Sequence, residues 1–305
     1  MGMTEAILLT IITAATPLLI AALGELVVER SGVLNLGVEG MMIVGAATGF
    51  AAAILTGSTV IGILAGIGAG MVLAAIFAAL ALGLAANQVA TGLALTILGL
   101  GVSALIGSAF VGARRDALAK IDLPWLTDLP VVGKVLFGQD PLVYVSALLA
   151  VGVWWFLWKT RAGLVLRAVG ESHGAAHALG YSVLKIRFLA VLFGGGCAGL
   201  AGAYLSLAYT PFWSPGMTAG RGWIALAIVV FASWLPLRAV IGAYLFGGVT
   251  VLQLHAQARG WGIPSQALSA LPYLATILVL VLISMRRRGD AQAPASLGTP
   301  FVPDR

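Results

Sequence analysis

Long apolar runs recur along the whole chain with only short polar joints between them, and this succession limits the fold more than any motif does. A helix of about 20 apolar residues, rising about 1.5 Å per residue, crosses the hydrocarbon of a bilayer. On that basis residues 5–28, 38–57, 59–86, 88–111, 141–158, 187–209, 222–235, 239–258 and 267–285 form about nine membrane segments, roughly eight to ten. Lipid offers no partner to backbone N–H and C=O groups, so these segments have to be helical. The expected fold class is all-α, a polytopic helical membrane protein with some segments discontinuous. Composition agrees: 60% of residues are hydrophobic, 9% are charged and the mean hydropathy is +1.05. A soluble enzyme or a nucleic-acid-binding domain does not look like this. One transmembrane domain is expected over 1–288, followed by a flexible cytoplasmic tail over 289–305. The opening MGMTEAILLT has no basic region and carries Glu5, so the first run reads as a retained segment and not as a cleaved signal peptide.

Orientation follows from the basic residues. The joint 159–187 carries Lys159, Arg161, Arg167, Lys185 and Arg187 against a single Glu171, and Arg286, Arg287 and Arg288 follow the last segment. Both are expected in the cytoplasm. The loop 112–140 balances its basic residues with Asp116, Asp122, Asp128 and Asp140, so it is expected outside. This parity places the N-terminus outside and Arg30 and Arg238 inside.

Charges inside the apolar segments are the next constraint. The stretch GELVVERSGVLNLGVEG, Gly24 to Gly40, sets Glu25, Glu29, Arg30 and Glu39 around a Gly-rich joint. An ionisable group near hydrocarbon costs several kcal/mol, so such groups point to a transport path. For Glu29 and Arg30 a plain helix end at the headgroups competes with that reading. A second interruption, SPGMTAGRG, precedes GWIALAIVVFASWL, which is too short to span alone. Each joint sets glycines and one charge, Glu39 or Arg221, ahead of an apolar helix. Paired interruptions in the two halves of a chain point to a central pathway, where both charges are expected to face a cavity and where they can meet.

Other constellations carry little chemistry. Gly62, Gly66 and Gly70 lie four apart and read as helix packing. Gly194, Gly196 and Gly199 match GxGxxG in form, but no strand precedes them and the run is apolar. His173 and His177 share a helical spacing without the Glu of a metalloprotease motif, and Cys197 is alone. There is no G-x-x-x-x-G-K-[ST] loop, so ATP-driven work needs a separate ATPase. Within the basic joint, ESHGAAHALG reads as a short helix capped by Gly180, a candidate docking element for a soluble partner. No cofactor or metal is expected.

Four motifs in order, ERSGVLNLGVEGMM, ANQVATGLAL, TRAGLVLRAVGESHGAAHALGYSV and SPGMTAGRGWIALA, resemble the permease subunits of ABC importers for ribose, simple sugars, nucleosides and branched-chain amino acids. The match is closest to the nucleoside and simple-sugar group and covers most of 17–285. The resemblance implies a multi-pass protein of the bacterial inner membrane that pairs with a second homologous permease, a cytoplasmic ATPase and an extracytoplasmic binding protein or lipoprotein. It places the coupling element at Gly170, Glu171, Ser172, Ala175, Ala176 and Gly180. Glu25, Asn35, Glu39, Asn87, Gln88 and Arg221 are expected to line the path; for Asn87 and Gln88, hydrogen bonding between helices is the competing reading. An ion-coupled secondary transporter using Glu25 or Glu39 is the alternative function. A membrane-embedded enzyme lacks any nucleophile–base or metal constellation.

Overall fold

The computed structural model describes residues 3–121, 132–260 and 293–302, with isolated positions between 264 and 281. Eleven helices follow in order: α1 Met3–Arg30, α2 Val38–Thr56, α3 Thr59–Ala78, α4 Gln88–Gly107, α5 Val132–Phe137, α6 Pro141–Lys159, α7 Arg161–Glu171, α8 His173–Ala178, α9 Val183–Tyr204, α10 Arg221–Phe231 and α11 Pro236–Ala258. No strand occurs among the described residues; one isolated antiparallel bridge joins Arg114 to Phe212. Helices α3 and α9 each run on into a π turn, at Ala79–Gly83 and Leu205–Tyr209.

Among the described residues, seven helices are long and apolar enough to cross a membrane: α1, α2, α3, α4, α6, α9 and α11. They match seven of the segments read from the sequence. The eighth, 222–235, is the 11-residue α10, which is short as expected. The segment 267–285 lies for the most part outside the described residues, as do Arg286, Arg287 and Arg288. Helix α9 begins at Val183 and not at 187, so Lys185 and Arg187 stand in its first turns and Arg187 is fully buried.

The core is built where glycines let backbones touch. Helix α9 packs against α1, α2 and α3. A Cβ on Gly66 would lie 2.9 Å from Gly45 O and 3.3 Å from Gly199 O, and one on Gly62 would lie 2.7 Å from Gly49 O. Without a hydrophobic drive between helices in lipid, such close approach supplies the dispersion contact that holds them. Leu64, Val72, Ile97 and Leu105 are exposed on α3 and α4, an apolar surface suited to lipid.

Connections gather at two opposite ends. At one, Arg115 donates to Ala53 O, and to Gly57 O at 3.0 Å, while Arg115 N donates to Pro211 O at 3.4 Å. At the other, Arg30 Nε donates to Trp234 O at 3.1 Å, and Ser296 N to Gly170 O at 2.9 Å. The basic-residue bias assigns this second end to the cytoplasm.

Candidate functional site

The two interruptions meet. Residues 210–220 leave the helix after α9, with Ala219 at φ +47° and Gly220 at φ +80° before α10 begins. Glu39, in the first turn of α2 and 4% exposed, holds this turn. Its Oε1 accepts from the Thr218 hydroxyl at 2.5 Å and from Gly220 N at 2.9 Å, and its Oε2 accepts from Gly222 N at 2.7 Å. The free N–H groups of a helix start attract a carboxylate, which explains a buried Glu at this depth. Arg221 turns elsewhere: its Nη1 donates to Met217 O at 3.0 Å and its guanidinium lies 5.7 Å from the Tyr209 ring centroid. Glu39 therefore meets backbone where the sequence suggested Arg221.

A second cluster surrounds the non-helical residues after α1. Asn35 N donates to Glu25 Oε1 at 3.3 Å, Leu34 N to Gln88 Oε1 at 2.8 Å, and the Thr96 hydroxyl to Leu36 O at 3.1 Å. Asn35 Oδ1 accepts from Gly37 N at 2.9 Å, shaping the turn into α2. Glu25, Asn35 and Gln88 are thus brought together around the non-helical segment 31–37, and all are buried. Among the described residues, Glu25 Oε2 and Gln88 Nε2 have no hydrogen-bond partner. Asn87 stands apart: it is exposed, and its side chain caps α4 by accepting from Ala90 N at 3.0 Å.

The far end of α10 has its own anchor. Ser233 and Trp234 adopt left-handed backbone, φ +50° and +57°, a conformation that side chains with a Cβ rarely take. Trp234 Nε1 donates to the buried Glu29 Oε2 at 2.5 Å. Both ends of α10 are therefore tied to carboxylates of the first two helices. Arg30 reaches Trp234 O and lies 5.8 Å from the Trp158 ring centroid.

The basic joint forms two helices. Helix α7 starts at the Thr160 cap, whose hydroxyl accepts from Gly163 N at 3.0 Å. Ser172 caps α8 by accepting from Ala175 N at 3.3 Å, and Gly180, at φ +87°, turns the chain toward α9. Glu171, Ser172, Gly174, Ala175 and Gly180 are exposed, whereas Ala176 is buried beside Val169 and Val183. Gly170 is small for an internal reason, since a Cβ there would run into Arg30 O. His173 and His177 flank Phe301, each 5.3 Å away between ring centroids. Burial, and then the Arg187 charge, push the His173 pKa down, and its Nδ1 lies 3.4 Å from Arg187 Nη2. No group of His, Cys, Asp and Glu among the described residues is placed to hold a metal. A cleft of about 660 Å³ between α1, α6, α7 and α9 is lined by Val27, Val153, Phe156, Leu166, Ala190 and Phe193, an apolar wall unsuited to a hydrophilic solute.

Residues 7–284 match the family model described as branched-chain amino acid transport system / permease component. The chain belongs to this family. The permease is 44% identical over 302 residues to the putative glucose ABC transporter permease protein TsgC13 of Haloferax volcanii, covering 92% of each chain. It is 34% identical to the guanosine ABC transporter permease protein NupQ of Bacillus subtilis, covering 94% of this chain and 93% of that one. It is 31% identical to the nucleoside ABC transporter permease protein NupC of Lactococcus lactis, covering 94% of both. No solved structure matches the chain. The permease is thus the multi-pass membrane subunit of an ABC transporter, a transport component and not an enzyme, and ATP hydrolysis belongs to an associated ATPase.

Some of the residues that hold these contacts are invisible in the sequence. Trp234 reads as one more apolar residue at a segment end, and Ser296 as part of a polar tail. Gly222 carries a signal, the AGRG run, but nothing local says that its N–H faces Glu39.

Proposed function

We propose that this permease forms the path of an ATP-driven importer for simple sugars or nucleosides, working beside a second homologous permease, a cytoplasmic ATPase and an extracytoplasmic binding protein or lipoprotein. Glucose, guanosine and nucleoside appear in the names of its relatives, and all are solutes rich in hydroxyl groups that need hydrogen-bond partners along a path. The observation that carries the reading is the pair of buried atoms Glu25 Oε2 and Gln88 Nε2 beside the non-helical segment 31–37, which have no partner among the described residues. Leaving such a group unmet costs about 1–3 kcal/mol, a cost relieved where water or a passing solute reaches it. Asn35 and Arg221 belong to the same path, and Glu39 serves it by holding α10 at the interruption.

Coupling runs through α8. Residues Gly170, Glu171, Ser172, Ala175, Ala176 and Gly180 form the element that the ATPase grips, with Ser172, Gly174 and Ala175 as its outward face. Closure of the ATPase shifts the permease pair between outward- and inward-open states, to the extent that ATP favours one of them. Glucose and guanosine uptake into vesicles holding the complete transporter tests the reading. ATP-dependent uptake of either solute, reduced by Glu25→Gln and Gln88→Leu with the protein still present, is expected. Uptake that continues without the ATPase and follows an ion gradient overturns it.

A further inference from the structure

The polar tail is bolted to the coupling joint. Ser296 is 5% exposed. Its hydroxyl donates to Gly170 O at 2.6 Å and accepts from Arg187 Nη2 at 3.2 Å. Arg187 Nη1 donates to Thr299 O at 3.0 Å, and its Nε donates to Ser31 O at 3.1 Å. Gly298 N donates to Gly32 O at 3.1 Å, and Ala295 N to Glu171 Oε2 at 3.3 Å. Phe301 closes the arrangement between His173 and His177, packed on the small cluster of Val169, Ala176 and Val183. One buried guanidinium therefore ties three pieces of chain together: the end of α1, the start of α8 and the tail.

We infer that residues 294–302 are a working part of the coupling site, fixing α8 against α1 and extending with Phe301 and Val302 the surface on which the ATPase is seated. This rests on the reading of α8 as the docking element. A helix of six residues does not hold its shape through its own hydrogen bonds. Force delivered to α8 reaches the membrane helices only if its seat is stiff, and on the face bearing both histidines that seat is the tail. Val302, next to Phe301, is exposed and free to meet a partner. Ser296, Arg187 and Phe301 are positioning residues in this scheme, since they act through α8.

The test uses the complete transporter in vesicles and reads ATP hydrolysed per solute taken up, with permease abundance and co-purified ATPase measured alongside. Phe301→Ala is expected to raise ATP consumed per solute several-fold at unchanged abundance. Phe301→Tyr, which keeps the ring, is expected to restore the ratio, and deletion of 293–305 to raise it further. A ratio unchanged in both Phe301→Ala and the deletion overturns the proposal. Should the deletion fail to accumulate, Phe301→Ala decides alone, because it removes no backbone hydrogen bond. Gly174→Leu in the same assay separates the two readings. Normal coupling in Gly174→Leu removes the docking role of α8 and this proposal with it. Loss of coupling in Gly174→Leu, with both tail variants normal, removes only the role of the tail.

Discussion

The backbone N–H of Gly222 donates to Glu39 Oε2 at 2.7 Å, which joins the first turn of α10 to the first turn of α2. Two helix starts that follow the two interruptions of the chain are thereby held by one carboxylate. A discontinuous helix inside a membrane needs such a partner, because water is not there to take its free N–H groups.

Gly222 has no room for a methyl group. A Cβ there would lie 2.5 Å from Glu39 Cα and 2.6 Å from Glu39 N, both backbone atoms that cannot swing aside. Overpacking of this kind costs about 1–3 kcal/mol. Gly222→Ala is expected to lower the thermal midpoint of the purified permease clearly, while Gly248→Ala, which meets nothing within 4 Å, leaves or raises it. Equal midpoints for the two variants would show that α10 does not depend on this contact.

Trp234 and Glu29 should be energetically coupled. Trp234→Phe strips the donor from a carboxylate oxygen in a residue that is 2% exposed. Side-chain hydrogen bonds between membrane helices average about 0.6 kcal/mol and reach about 1.7, and a 2.5 Å bond to a buried carboxyl group belongs at the upper end. A double-mutant cycle of Trp234→Phe with Glu29→Leu, read by unfolding of the purified protein, is expected to give a coupling of about 1–2 kcal/mol. Strict additivity would sink the pairing.

Two positions on α8, Gly174 and Ala176, should fail in different ways. Gly174 is exposed and an added side chain there meets nothing within 4 Å, whereas Ala176 is buried. Gly174→Leu is expected to leave abundance intact and to cut uptake per ATP, because only the partner fills the space outside. Ala176→Glu is expected to cut abundance itself, since an unpaired charge enters an apolar cluster. Membrane protein level and uptake, measured together, separate the two, and matching phenotypes would remove the outward face of α8 from the coupling scheme.

Orientation has an inexpensive test because Cys197 is the sole cysteine and is buried. In a Cys197→Ala background, Thr56→Cys should react with an impermeant thiol reagent on intact cells, and Ser172→Cys only after the membrane is opened. Both side chains are exposed, so accessibility reports the side of the membrane and not burial. Labelling at Ser172→Cys in intact cells would invert the topology.

Much of the fold was legible because hydrophobic length is a local property. Each span needs only its own run of apolar residues, so seven membrane helices and the short α10 emerge from reading along the chain. The ordered motifs likewise identify the permease family without any packing information. Side-chain partnership is not local. Glu29 meets Trp234 at a separation of 205 residues, and Ser296 meets Gly170 at 126.

What the sequence determined by itself is the seven described spans and the family, since hydropathy adds residue by residue and the motifs are local. Only the tertiary structure decided that Glu39 holds backbone and not Arg221, that Asn87 is a cap while Gln88 is buried beside the link from α1 to α2, that Ala175 faces out and Ala176 in, and that the tail rests on α8. For Glu39 and Gln88 the physical reason is the same. A buried polar group is fixed by whichever donor crosses it at the same depth, and that depends on how distant helices pack, which no single stretch of residues encodes.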